Sequence, residues 1–290
     1  MITLKKLILP FVLLVALTGC GVNQELAAVK KSSIAYSALS AEDKQLADTL
    51  IKKVLDNEGL YTVVGSLKPI SSVSNLSLKI ARKDSLIKGN RNISDVNSAD
   101  YKKLLQYQRV VSALQFGDLK FVMTPYKVSE NGQRLMQINV YRQGLVDSLV
   151  NANREFFGQF GYAPGVSGDL LINTTEYEKK YDRFRSYGYL FGYPEHAVTF
   201  YVEASIIDDE KGTFVKRDFF QIPVFSGPKG HFVYAYPKGT IPGTLDEAIK
   251  ARAEYALRNY EQARPVYQRP DGSLKAYELL MHLIKSGGRK

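Results

Sequence analysis

Two runs, LKFVMTPYKV from Leu119 and QRLMQINVYR from Gln133, flank Glu130-Asn131-Gly132. An Asn-Gly pair supplies the positive φ angles of a tight hairpin turn. In the second run Met136, Ile138 and Val140 alternate with Gln137 and Asn139, which is the period of a strand with one buried face. A chain with such a segment must build antiparallel sheet, and the alternation predicts that the Gln137/Asn139 face is wet. A second pair, RDFFQIPVFS and HFVYAYPK around SGPKG, reads as another hairpin, and Leu76, Leu78 and Ile80 alternate as a further strand.

Between these strands the period changes to that of helices. Ser40 with Asp43 three residues on resembles a capping box, and Leu46, Leu50, Ile51, Val54 and Leu55 form a stripe, so a helix is expected over 41–58, ended by Gly59. Residues 81–97 are charged and rich in Ser and Asn, a loop or insertion. A second helix is expected over 99–115, with Tyr101, Leu104, Leu105, Val111 and Leu114 inward. A third is expected over 145–157 with Leu145, Leu149 and Phe156 on its stripe. A fourth opens at Asn173 with Glu176 as its capping signature and runs to about 187. A fifth starts at Pro194 and carries Ala197, Val198 and Tyr201 at helical spacing. Thr244 with Glu247 opens a sixth over 244–263, and a last short helix follows Ser273. Helices and hairpins in mixed order, without regular βαβ alternation, give an α+β class. Its sheet is mainly antiparallel, with hairpins near 119–142 and 218–237 packed with about six or seven helices. One globular domain over 40–290 follows.

The N-terminus carries a different signal. Lys5 and Lys6 precede the apolar run LILPFVLLVAL, and Thr18 and Gly19 close it, the three-part plan of a secretory signal peptide. The run is far shorter than the roughly 20 residues that cross a bilayer as a helix, so a transmembrane protein is not expected. Leu17-Thr18-Gly19-Cys20 resembles the lipobox of bacterial lipoproteins. The resemblance implies cleavage before Cys20, acylation of that residue with palmitate-type chains, and a lipidated tether over 20–39. Several chains on one residue anchor stably where one does not. The residue after Cys20 is Gly21 rather than Asp, which for this family implies the outer membrane, the body facing the periplasm. Segments such as LYTVVGSLKPIS and FGYPEHAV resemble uncharacterised exported bacterial proteins, and that likeness brings no activity with it.

Cys20 is the only cysteine. Once it serves as the tether, disulfides, thiolate catalysis and cysteine-bound zinc are excluded. Removing residues 1–19 takes Lys5 and Lys6 from 39 basic residues and nothing from 29 acidic ones, leaving 37 against 29, or +8. Such a balance favours anionic envelope partners such as lipopolysaccharide, phospholipid surfaces or acidic glycans, or envelope proteins. No nucleic-acid module is present.

Chemistry is sparse in the sequence. In YDRFRSYGYLFGY, Arg183, Arg185, Tyr189 and Tyr193 are candidates for holding an anion or stacking on a ring, while Tyr177, Tyr181, Phe184, Gly188 and Phe191 recur at helical spacing and read as a buried face. Glu195 and His196, with His231, are the candidate catalytic set of a hydrolase or metal-dependent enzyme. Adjacent helical residues point about 100° apart, however, so Glu195 and His196 would not orient each other. Asp208-Asp209-Glu210 lacks the spacing of a calcium loop and reads as a solvated turn. No GxSxG, Walker-type loop or dinucleotide fingerprint occurs, and no metal or cofactor is implied. The favoured expectation is a non-enzymatic, lipid-anchored envelope protein that binds a partner; the enzyme built on Glu195 and His196 is the alternative.

Overall fold

The computed structural model describes residues 32–83, 92–130 and 133–287. The signal peptide, Cys20, the tether up to residue 31, the middle of the 81–97 loop and the Asn131-Gly132 turn lie outside the described residues.

The fold is α+β with antiparallel sheets. Strands β1 (Ile70–Leu78), β2 (Ala81–Lys83), β3 (Asn92–Ser94), β4 (Gln115–Phe116), β5 (Leu119–Glu130), β6 (Gln133–Arg142), β7 (Arg217–Val224) and β8 (Gly227–Pro237) form three groups. The main sheet has order β1-β6-β5-β4, and β2-β3 and β7-β8 are two-stranded. Both expected hairpins are present, although the second turns at Phe225-Ser226 and not over Ser226 to Gly230, since Gly227 already pairs with Val224 as the first residue of β8. The flanks of the 81–97 loop also pair with each other, Ala81 opposite Ser94.

Helices α1 (Ala41–Asp56) and α2 (Leu60–Val63) precede β1, and α3 (Ala99–Ala113) lies between β3 and β4. In α1 the Ser40 hydroxyl accepts from the Asp43 N–H at 3.1 Å, satisfying one orphan donor of the first turn. The Asp43 carboxylate accepts from Arg109 Nε of α3 at 2.7 Å. Leu50, Ile51, Val54 and Leu55 of α1 are buried, each worth about 1.5–3 kcal/mol relative to exposure. Leu105 of α3, expected inside, is 46% exposed. Arg142 ties α2 to the sheet by donating to the carbonyls of Thr62 at 3.2 Å and Val63 at 2.8 Å and to Asp118 at 2.7 Å.

The first face of the main sheet presents Leu76, Leu78, Phe121, Ile138 and Val140 to the larger core, shared with α1, β7-β8 and the C-terminal helix. The second face is not wet. Gln137 is 9% and Asn139 1% exposed. Helices α4 (Gln143–Ala152), α5 (Arg154–Gly158) and α6 (Gly168–Tyr177) supply a second core there, in which Val146, Val150, Phe157 and Leu171 pack with Ile70 and Tyr141. The buried amides satisfy each other: Gln137 Nε2 donates to Ser72 Oγ at 2.9 Å, and Asn139 Nδ2 donates to Gln137 Oε1 at 3.2 Å. Polar residues at strand centres can thus face a covered layer when their hydrogen bonds close locally.

Two expected helices are broken. That at 145–157 is interrupted at Asn153, and its buried residues are Val146, Val150 and Phe157, each one position on from the expected stripe. Asn173 and Glu176 do not open a helix; they lie inside α6, and a break at Glu178-Lys179 starts α7 (Lys180–Leu190). Pro194 is the N-cap of α8 (Glu195–Lys211), and Asp208 to Glu210 form its last turn rather than a loop, closed by left-handed Gly212 as helix ends favour. Helix α9 (Thr244–Ala263) is capped from within: the Asp246 carboxylate, not Glu247, accepts from the Gly243 N–H at 2.7 Å. Helix α10 (Ala276–Gly287) ends the described fold. Among the described residues no helix is long and apolar enough to cross a membrane.

Candidate functional site

A cavity of about 420 Å³ lies where the second face of the sheet, α7, α8 and the β7-β8 hairpin converge. The sheet contributes Tyr126 and Gln137, and the hairpin contributes Phe219, Val233 and Tyr234. From the helical side come Phe184, Tyr187 and Gly188 of α7, then Phe191 and Tyr193 of the α7–α8 turn, and Tyr201 of α8. Phe219 is 54% and Tyr201 40% exposed, so the cavity opens to solvent on their side.

Close packing of α7 on α8 makes the wall. Gly188 permits it, because a Cβ there would stand 2.8 Å from Val198 Cγ2, inside van der Waals contact. Gly192, at φ +75°, turns the chain between the two helices, with a virtual Cβ only 2.4 Å from the Leu67 carbonyl; only glycine fits such a position. The turn delivers Phe191 and Tyr193 on either side of it.

Glu176, from the last turn of α6, is the one carboxylate in the lining, which holds no Lys, Arg or His. Its Oε2 accepts from Tyr187 Oη at 2.8 Å and its Oε1 from the Lys127 N–H at 3.1 Å. Burial and then the Glu176 carboxylate push the Tyr187 hydroxyl pKa above the ordinary tyrosine value, so Tyr187 remains a donor at neutral pH. Its ring stacks on Phe191, centroids 5.5 Å apart, and Phe184 meets Tyr201 edge to face at 5.5 Å.

Behind the same turn sits Lys68, whose side chain is fully buried. Its Nζ lies 4.3 Å from the Phe232 centroid, 5.1 Å from Phe191 and 5.4 Å from Tyr193, and 2.9 Å from Glu58 Oε2. Burial lowers the Lys68 pKa while Glu58 opposes the change. No motif or periodicity marks this lysine in the sequence. Its only local sign is a Lys among Leu67, Pro69 and Ile70.

The sequence candidates scatter. Tyr193 lines the cavity; Tyr189 does not, packing instead on Phe156 and Phe157. Arg183 Nη1 lies 3.5 Å from the Glu176 backbone carbonyl. Arg185 is taken up by Tyr189, Glu195 and Thr199 at 3.2–3.3 Å. Glu195 therefore turns toward Arg185, while His196 Nε2 meets Asp246 Oδ1 at 3.1 Å, an oxygen that also accepts from Tyr234 Oη at 2.6 Å. His231 is exposed on β8, with no hydrogen bond or ion pair to either residue among the described residues. Two of the Asp208 to Glu210 carboxylates pair elsewhere, Asp208 with Arg217 and Asp209 with Lys180. Among the described residues no group of three His, Cys, Asp or Glu is placed to hold a metal ion.

Of the face expected to be buried over Tyr177, Tyr181, Phe184, Gly188 and Phe191, Tyr177 is 49% exposed, and Phe184, Gly188 and Phe191 face a void. The spacing was legible; what stands opposite depends on β7-β8, some 30 residues further along the chain. No protein-family model matches the chain, and neither a curated protein nor a solved structure is similar to it.

Proposed function

We propose that the chain is a lipid-anchored cell-envelope protein that holds a small, largely apolar ligand in the Glu176 cavity without transforming it. The observation that carries this reading is the cavity: its volume of about 420 Å³ suits a small molecule, and its lining of rings with few polar groups is the usual composition of such sites. The Leu17 to Cys20 motif supports an acylated N-terminus in the outer membrane, the body facing the periplasm. The basic balance of the chain favours anionic envelope components as its neighbours.

Titration with the neutral fluorescent probe N-phenyl-1-naphthylamine tests the ligand site. Saturable binding at one equivalent is expected, weakened by Val233→Trp, which fills the cavity from β8. Binding that is absent, or indifferent to that variant, counts against the reading. The anchor is tested separately. Cys20→Ala should abolish palmitate labelling and release the chain from membrane fractions; a variant that stays labelled and membrane-bound removes the anchor.

The second reading, a lipid-anchored hydrolase or metal-dependent enzyme, is favoured by one contact. Asp246 orients the His196 ring, as a carboxylate orients a general base. A nucleophile within hydrogen-bond reach is also needed, and among the described residues no hydroxyl hydrogen-bonds His196. Glu195 faces Arg185 instead of the imidazole. Binding is therefore the better-supported of the two.

A further inference from the structure

We infer that the ligand of the Glu176 cavity is an organic cation, an alkyl- or arylammonium compound whose charged head sits among the cavity's rings beside the Glu176 carboxylate. The inference rests on reading the cavity as a ligand site and names the chemistry that site selects.

Three observations carry it. First, charge: one carboxylate and no basic side chain line the cavity, although the chain as a whole is basic. A carboxylate offers about four acceptor positions, of which Tyr187 Oη and the Lys127 N–H take two. Among the described residues no ion pair neutralises it. An anionic ligand would meet this charge with no cationic side chain in the lining, Arg183 lying outside it on the Glu176 backbone carbonyl, and a neutral one can fill the space between the rings but leaves the remaining carboxylate acceptor positions unpaired.

Second, ring chemistry. Phe184, Tyr187, Phe191, Tyr193, Tyr201 and Tyr234 surround the space, and the faces of such rings attract a cation within about 6 Å of their centroids. Rings with a carboxylate behind them are the arrangement by which ammonium groups are recognised.

Third, the protein already holds an ammonium in this way. Lys68 lies against Phe232, Phe191 and Tyr193 and pairs with Glu58. Phe191 and Tyr193 also line the cavity. Because Glu58 neutralises Lys68, the shared wall presents rings rather than net charge to an incoming cation.

The test compares two molecules of nearly one shape, 3-(trimethylammonio)phenol and 3-tert-butylphenol, by calorimetric titration of the full-length chain near neutral pH. The cation should bind at least roughly tenfold more tightly, and Glu176→Gln, which keeps the shape and an acceptor, should remove most of that preference. Equal binding, or tighter binding of the neutral phenol, overturns the cation inference and leaves the ligand site standing. A preference that Glu176→Gln leaves intact also overturns it. If neither molecule binds and the naphthylamine probe fails too, the cavity is no ligand site and both readings fall. If the probe binds but neither phenol does, only the cation inference is lost.

Discussion

Lys68 Nζ stands 2.9 Å from Glu58 Oε2 with its own side chain fully buried and that of Glu58 15% exposed. The asymmetry decides what each partner is worth. Removing the acid leaves an ammonium inside a ring of aromatics with nothing to neutralise it; removing the base leaves a carboxylate that can rotate toward water. Breaking a buried pair costs about 3–5 kcal/mol when the remaining charge is trapped. Glu58→Gln is therefore expected to be the costlier change per atom altered. Lys68→Met, which keeps the stem packed on Phe232, should cost less than Lys68→Ala. Urea unfolding of the three variants gives the order, and a Lys68→Met protein less stable than Lys68→Ala would contradict it.

The α7–α8 contact sets the cavity's width. In Gly188→Ala the new methyl meets Val198 Cγ2 at 2.8 Å and Cγ1 at 3.1 Å. Helix propensity gains up to about 1 kcal/mol, but overpacking costs about 1–3 kcal/mol, so a small net destabilisation is expected. Displacement of α7 should weaken naphthylamine binding. Adding Val198→Ala should restore both properties in part; a double variant no better than the single one would place the effect elsewhere.

Stability in acid should depend on Asp43. Its hydrogen bond from the Arg109 guanidinium holds its pKa below the ordinary carboxyl value. The folded state therefore binds this proton less readily than the unfolded chain. The stabilisation is present above the unfolded value, about 3.9, and is lost as pH falls through the lower folded one. Arg109→Met should be less stable than the parent at pH 6, and the difference should shrink below about pH 4. A difference that stays constant between pH 6 and pH 2 would show that the pair acts through packing alone.

His196 and Asp246 should separate sharply. The imidazole is 49% exposed, whereas the carboxylate is 7% exposed and accepts from Tyr234 Oη and the Gly243 N–H. Losing a buried acceptor with two donors costs about 2–4 kcal/mol, and His196→Ala should cost less than about 1 kcal/mol. Thermal melts of His196→Ala and Asp246→Ala give the comparison. An envelope hydrolase activity abolished by His196→Ala at nearly unchanged melting temperature would revive the enzyme reading.

Much of the fold could be read from local pattern. Strand alternation located both hairpins, and the span of α9 agrees with its periodicity from end to end. The errors have physical causes. At Leu145-Val146, Leu149-Val150 and Phe156-Phe157 apolar residues occupy both of two adjacent positions, so periodicity fixes the helix but not which member faces inward. That face also decides what covers the Gln137/Asn139 side of the sheet, and one ambiguity became two errors. The site was less legible still. Glu176 looked like a helix start because its spacing from Asn173 fits a cap, and its partnership with Tyr187 crosses a helix break that neither residue signals. Lys68 carries no local mark of burial, since the rings around it come from residues 191, 193 and 232.

Tyr193 packs against both hydrophobic cores while also forming part of the cavity wall. That ring is thus where the layers on the two faces of the one sheet meet, so a substitution at Tyr193 disturbs both interiors at once.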